Sequence, residues 1–342
     1  MLRDNSNVSN HSRYQNLLAA AILSAKARLA TMVPRFLDRP PIGPMETAAV
    51  LERDANLQSR LIRIANTVQH GAGIPVTSLS AAAVRLGPDR MQAIAIAYEI
   101  TRAVADVLRP AGVDIADFCL HSLARASLAR AMAMMRDRAL AGPAFLVGYL
   151  QNIGQPLLAA SFPEEYKRLS DEAEGCSLRF AALKYHALNL NHIHAGLSLL
   201  ESCRFPRLIT DAVGRHHTNP PTITATDTPL QLWQIGYTVG LIPVGDESGD
   251  TLSAAIVRRS LPTQTHSTSD PLARLIRAAI EEYNDIADLF EEFAGNRAGA
   301  MPLFSQVSQW FDGDNITPEP TGSDSSARPR ADQLSDTVAA KY

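Results

Sequence analysis

The side chains able to do chemistry gather in the middle of the chain. His121 is followed by Ser122, Gln151 by Asn152 and His216 by His217, and His192 stands two residues before His194. Imidazoles at His121, His192, His216 and His217 are candidate ligands for a divalent cation. A catalytic metal needs three or more converging ligands, usually with a carboxylate among them, and an open position for water. The central pair, Gln151-Asn152, offers two neutral carboxamides instead. These hydrogen-bond well and ligate poorly. On a helix, His192 and His194 point roughly 200° apart and cannot serve one ion together. Adjacent His216 and His217 face the same difficulty. This pattern favours hydrogen-bonded interior or pocket-rim histidines, with no metal and no other cofactor.

Nucleophilic catalysis finds less support. Consecutive helical residues such as His121 and Ser122 diverge by roughly 100° and do not form a nucleophile–base pair. Gly71-Ala72-Gly73 lacks the following Lys-Ser/Thr and the preceding strand of a phosphate loop. Cys119, Cys176 and Cys203 are far apart, form no CxxC pair and read as small buried hydrophobes. His121, Arg125, Leu128 and Met132 share one helix side, as a core stripe or as the floor of a small polar pocket.

The elements that must position these residues are helical. Apolar residues recur at helical spacing over Tyr14–Met32, Asp54–Val68, Leu79–Leu86, Met91–Leu108, Asp114–Arg138, Phe145–Ala160, Glu164–Glu174, Pro229–Leu241 and from Ser269-Asp270-Pro271 to Phe293. Between Phe180 and Cys203 the last part is apolar on two sides, which marks an interior helix. Ser78 is a cap for the helix at Leu79, and Gly87-Pro88 ends one helix and begins the next. Met1–Arg13 is polar and expected to be disordered, as is the Pro-, Gly- and Ser-rich stretch 312–342. Gly245–Thr268 reads as polar and irregular around the apolar patch Ala254–Val257. No strand pattern and no repeat is visible, so the fold class is all-α.

The length of 342 residues, 46% of them hydrophobic, allows a substantial core. A net charge of -3 gives no footprint for nucleic acid. The apolar run Leu17–Leu23 is too short to span a bilayer. A cytoplasmic protein without a membrane segment is expected.

Several short motifs stand in a common order: Asp54-Ala55-Asn56-Leu57, Ile64-Ala65-Asn66-Thr67, Val76-Thr77-Ser78-Leu79, Ala82–Gly87, His121-Ser122, Gly148–Gly154, Phe162-Pro163-Glu164, His192 with Gly196, Phe205-Pro206 and His216-His217. In this order and spacing the chain resembles the HDOD domain, a signalling relative of the HD metallohydrolases, from about Phe36 to about Pro220. The resemblance implies a multi-helix HDOD fold, with an N-terminal helical subdomain (14–112) packed on an HD-like helical subdomain (113–294). Gln151 and Asn152 stand where the metallohydrolases carry His-Asp. The acidic residue usual before the His192 segment has no evident counterpart; Tyr185-His186 is nearby.

The resemblance further implies a bacterial regulatory role. A non-catalytic module is expected, acting on a signalling protein in trans, with no receiver or cyclase domain attached. Its residual pocket would be lined by His121, Arg125, Gln151, Asn152, His192, His216 and His217. A small nucleotide is a second ligand class, and a homo-oligomer is compatible with the sequence. The alternative is a metal-dependent phosphohydrolase acting on nucleotides. Gln151 and Asn152 are expected to be partly or wholly buried and hydrogen-bonded near His121 and His192.

Overall fold

The computed structural model describes residues 3–30, 32–35, 42–67, 74–111, 114–174, 177–188, 190–221, 227–244, 251–261, 270–295, 304, 305 and 307. Among them are sixteen α-helices and no strand. They are α1 (Arg3–Leu29), α2 (Pro44–Leu51), α3 (Ala55–Thr67), α4 (Leu79–Leu86), α5 (Pro88–Leu108), α6 (Ala116–Arg136), α7 (Ala141–Leu150) and α8 (Gln155–Ser161). The chain continues with α9 (Pro163–Ala173), α10 (Ser177–Leu188), α11 (His192–Ser202), α12 (Arg207–Gly214), α13 (Thr228–Gly240), α14 (Thr251–Ser260), α15 (Pro271–Ile286) and α16 (Glu291–Ala294).

Local chemistry sets most boundaries. The Asp54 carboxylate accepts from the Asn56 and Leu57 amides and caps α3. Ser78 accepts from the Ala81 amide and caps α4. Gly87 adopts φ +86 between α4 and α5, a conformation that costs a side-chain-bearing residue, and Pro88 opens α5. Asp270 caps α15 by accepting from the Leu272 amide.

Helices α5, α6 and α7 form the centre. α7 lies along α6, and α5 packs on α7 and α1. α6 is also covered by α13 and α15. One continuous apolar core runs from Tyr14 on α1 to Val307 and includes Met91, Leu128, Phe145, Leu199 and Tyr283. The Ala-rich face of α6 allows close approach: a methyl on Gly148 would lie 2.4 Å from the Arg125 carbonyl oxygen and 2.8 Å from Ala129 Cβ. Buried hydroxyls of α5 and α7 pair in this centre, with a 2.6 Å hydrogen bond between Thr101 and Tyr149. Glu282 of α15 binds Arg90 of α5 and Arg130 of α6, each at 3.0 Å, and Arg90 also reaches Asp285 at 2.9 Å.

Three expectations are corrected. Met1–Arg13 is not disordered throughout, because α1 begins at Arg3. A helix already nucleated by buried Leu18, Ala21 and Ala25 gains a hydrogen bond for each residue added outward, even where that turn is polar. The Phe145–Ala160 segment is two helices with a turn at 151–154. Pro156 lacks the N–H that would bond Asn152 and its ring crowds that carbonyl, so α7 cannot run into α8. The irregular stretch at 245–268 contains α14, whose Ala254 and Val257 are buried at helical spacing. Cys119 and Cys203 are buried free thiols, as expected. Cys176, Gly71-Ala72-Gly73 and the stretch 312–342 lie outside the described residues.

Gly148→Ala forces α7 away from α6 along its length. Overpacking of this kind costs about 1–3 kcal/mol. Calorimetry on this variant should show Tm lowered by roughly 3–10 °C for a domain of this size; an unchanged Tm would mean the two helices are not packed as described.

Candidate functional site

The turn at 151–154 carries the site. It closes through the Ile153 amide on the Leu150 carbonyl and the Gln155 amide on the Asn152 carbonyl. Its last residue, Gly154, touches the first turn of α11. A methyl there would fall 2.1 Å from the His192 carbonyl oxygen and 2.6 Å from the Gly196 nitrogen. Asn191 starts α11 by accepting from the His194 amide, and this cap fixes where His192 leaves the helix.

Three imidazoles converge in the interior. His192 Nε2 lies 3.3 Å from His216 Nε2 and 3.2 Å from His217 Nε2. All three rings are buried. His216 and His217 both reach this point, which overturns the expectation that adjacent histidines cannot. That expectation assumed helical geometry, but α12 ends at Gly214 and residues 215–217 form a turn. His216 Nδ1 donates to the Val213 carbonyl at 2.7 Å, so in the neutral ring Nε2 holds a lone pair.

Gln151 and Asn152, expected to be buried and hydrogen-bonded near His121 and His192, bond to Arg125, Gly236 and Gln155. Gln151 is buried, with its oxygen accepting from Arg125 Nε at 3.1 Å and its nitrogen donating to the Gly236 carbonyl at 3.3 Å. Asn152 is half-buried, and its oxygen accepts from Gln155 Nε2 at 2.9 Å. Arg125 is buried beneath the turn. His121, one turn earlier on α6, is half-buried and stands outside the three-histidine cluster.

Lys184 was missed by sequence reasoning. Helix α10 packs on α9 and holds this side chain fully buried, with Nζ 3.7 Å from the centre of the Phe180 ring and 5.4 Å from that of Tyr166. Nζ has no hydrogen-bond partner among the described residues. The segment before His192 thus supplies an amine where the resemblance points to an acid. The signal was present in Phe180, Lys184 and Leu188 at spacings of four, a lysine within an apolar stripe. Burial pulls the Lys184 amine down to about 7, while the Phe180 ring face favours the ammonium.

Burial also makes all three imidazoles weak bases. His216 falls to about 4, chiefly through desolvation, with Arg125 and Lys184 adding to it and the Val213 hydrogen bond opposing. His192 and His217 lie well below the usual value, again first through desolvation and then through neighbouring positive charge. The spacing of His192 Nε2 from the other two imidazoles matches a tetrahedral metal site, whose ligand atoms lie about 3.3 Å apart. The charge of the surroundings does not match. No carboxylate joins the cluster among the described residues, and two basic side chains face it.

These weak bases make stability depend on pH. The unfolded chain binds protons on these histidines near pH 6.5, whereas the folded chain resists them to about pH 4 at His216. Their stabilising contribution is complete above about pH 6.5 and is lost as pH falls towards 4. His216 alone accounts for about 3 kcal/mol of that loss. Urea midpoints between pH 6.5 and 4 should fall more steeply for the native chain than for His216→Gln; equal slopes would contradict the buried neutral ring.

Comparison with known proteins identifies the family and the fold. The HDOD domain family matches residues 23–219. An HDOD domain protein from Geobacter sulfurreducens is 18% identical, with a TM-score of 0.53 over 80% of this chain and 91% of that one. A candidate signal transduction protein from Marinobacter aquaeolei is 19% identical, with a TM-score of 0.57 over 82% of this chain and 65% of that one. A candidate phosphohydrolase from Shewanella amazonensis is 19% identical, with a TM-score of 0.52 over 84% and 98%. None of the curated proteins matches. Those solved structures share the all-helical fold, and the matched span holds α2 to α12, the turn at Gly154 and all three clustered histidines; the chain belongs to the HDOD domain family.

Proposed function

We propose that the chain is a non-catalytic signal-transduction module of a bacterial cell. It would bind a signalling protein in trans, or a small ligand, through the imidazole pocket and the helical surface around it. The observation that carries this reading is the composition of the buried cluster: three neutral imidazoles facing Arg125 and Lys184, with no carboxylate among the described residues. A hydrolytic metal site draws on carboxylates to offset the ion's charge and to orient or deprotonate water. Gln151 cannot take that role, since its amide is committed to Arg125 and Gly236. Family membership supports a regulatory or signalling role, and one solved relative is described as a candidate signal transduction protein. No helix among the described residues is long and apolar enough to cross a membrane.

A metal-dependent phosphohydrolase acting on nucleotides is the second reading. The convergence of His216 and His217 on His192 Nε2, at 3.3 and 3.2 Å, favours it, and another relative is described as a candidate phosphohydrolase. If the cluster holds an ion, these three residues would ligate it through Nε2, and the ion would supply Lewis acidity.

Metal analysis together with partner capture separates the two. The signalling reading expects no stoichiometric Mn, Fe or Zn in the purified chain and no phosphoester hydrolysis with those metals added. It also expects one specific partner to be retained from the native extract by the native chain. Stoichiometric metal with hydrolysis, both abolished in His192→Ala and His217→Ala, would overturn it.

A further inference from the structure

Helices α1 and α2 each turn an apolar face to solvent. On α1, Leu23, Ala27 and Ala30 are exposed and share one side at helical spacing. On α2, Met45 and Ala49 do the same, and Arg53 follows just past the helix end. Leu23 is 73% exposed and Met45 70%, a large outlay of apolar surface for two short faces.

Both faces lead to one cleft. Its volume is about 440 Å³, and it is lined by Ala30, Pro34, Arg35, Ala49, Val50 and Arg53. The walls are anchored from beneath. Leu29 and Val33 are buried at the end of α1 and in the 3₁₀ turn Val33–Arg35, and Ala48 and Leu51 are buried on the inner side of α2. Gln92 of α5 also donates to the Thr47 hydroxyl of α2 at 2.9 Å. The cleft is therefore preformed, and little ordering of its walls opposes binding.

Its charge is of one sign. Arg35 and Arg53 are exposed, and no carboxylate lines the cleft among the described residues. The Glu46 carboxylate lies beside Gly43, at the opposite end of α2. The ends of α1 and α2 contribute about half a negative charge each, so two guanidinium groups leave the cleft net positive.

We propose that this cleft docks an acidic amphipathic segment of a partner protein. Aliphatic side chains of the segment would pack on Leu23, Met45 and the alanines, whose small size lets another backbone approach. Its carboxylates would accept from the Arg35 and Arg53 forks. No aromatic ring, amide or hydroxyl side chain lines the cleft among the described residues, so a nucleotide base would find neither a stacking surface nor a reader of its edges. An anionic membrane fits less well, because the surface is concave and the chain carries a net charge of -3. The inference goes beyond the imidazole pocket, none of whose residues lines this cleft. Metal analysis does not bear on it, so the two readings can fail separately.

Fluorescence anisotropy of the full chain tests it. One short labelled peptide carries leucine and glutamate in amphipathic helical order, and a second has lysine in place of glutamate. The glutamate peptide should bind and the lysine peptide should not. Arg35→Glu and Arg53→Glu should each weaken binding by about tenfold or more, the scale of a lost charged hydrogen bond. Leu23→Ser should weaken it by about tenfold, the scale of one leucine side chain left in water. All three side chains are exposed, so Tm should hold, and Arg207→Glu, a charge reversal on the surface of α12, should leave the affinity unchanged. Vesicles of phosphatidylcholine and phosphatidylglycerol, and sedimentation of the chain alone, test the other occupants. Vesicle binding that Leu23→Ser removes would assign the surface to lipid, and a dimer that Leu23→Ser splits would assign it to a second copy; either overturns the proposal. So does absence of glutamate-peptide binding, equal binding of the lysine peptide, an equal loss in Arg207→Glu, or unaltered affinity in folded Arg35→Glu and Arg53→Glu.

Discussion

Gly154 rests on the first turn of α11 with no room for a methyl between the two backbones. Much of the site depends on this contact. It sets the depth of His192, and with it the distance to the two histidines that follow α12. It also fixes the direction of the turn that aims Gln151 at Arg125. Gly148 has the matching role a layer below, where α7 meets α6. Two glycines six residues apart thus hold α7 and the turn after it against α6 and α11, and small displacements at either would be felt in the imidazole cluster.

The cluster itself joins two opposing requirements. Its rings are packed as core residues, and burial keeps them neutral. Their nitrogens nonetheless remain polar and must be matched. The protein meets this partly with ring-to-ring contacts and the Val213 carbonyl. It does so without an acidic partner among the described residues, and with basic groups close by. Such an arrangement is poised to respond to a change in charge, because the low local dielectric magnifies any ion that arrives.

Much of the fold could be read from the sequence, because helical spacing, caps and proline stops are local signals. Ser78, Gly87-Pro88 and Asp270 behave as their types suggest. Pro156 carried an equally local signal, and it separates α7 from α8. The site was less legible. His192, Gln151 and Arg125 were singled out, but the convergence of His216 with His217 depends on a turn whose geometry adjacent residue types do not announce. Lys184 was hidden for a different reason. A lysine on an amphipathic helix normally extends to solvent, and only the packing of α10 on α9 shows that this one is enclosed.

The bridge from Glu282 to Arg90 and Arg130 lies outside the stretch by which kinship is recognised. The HDOD match ends at residue 219, while α15 begins at Pro271. Yet α15 buries Leu272, Leu275, Ala279 and Tyr283 in the same core and supplies the acid that lies between two enclosed guanidinium groups. A chain cut at the end of the match would leave those two positive charges facing one another and lay bare the flank of α6. The matched stretch is therefore shorter than the core it belongs to, and α15 is the keel that covers the flank of α6.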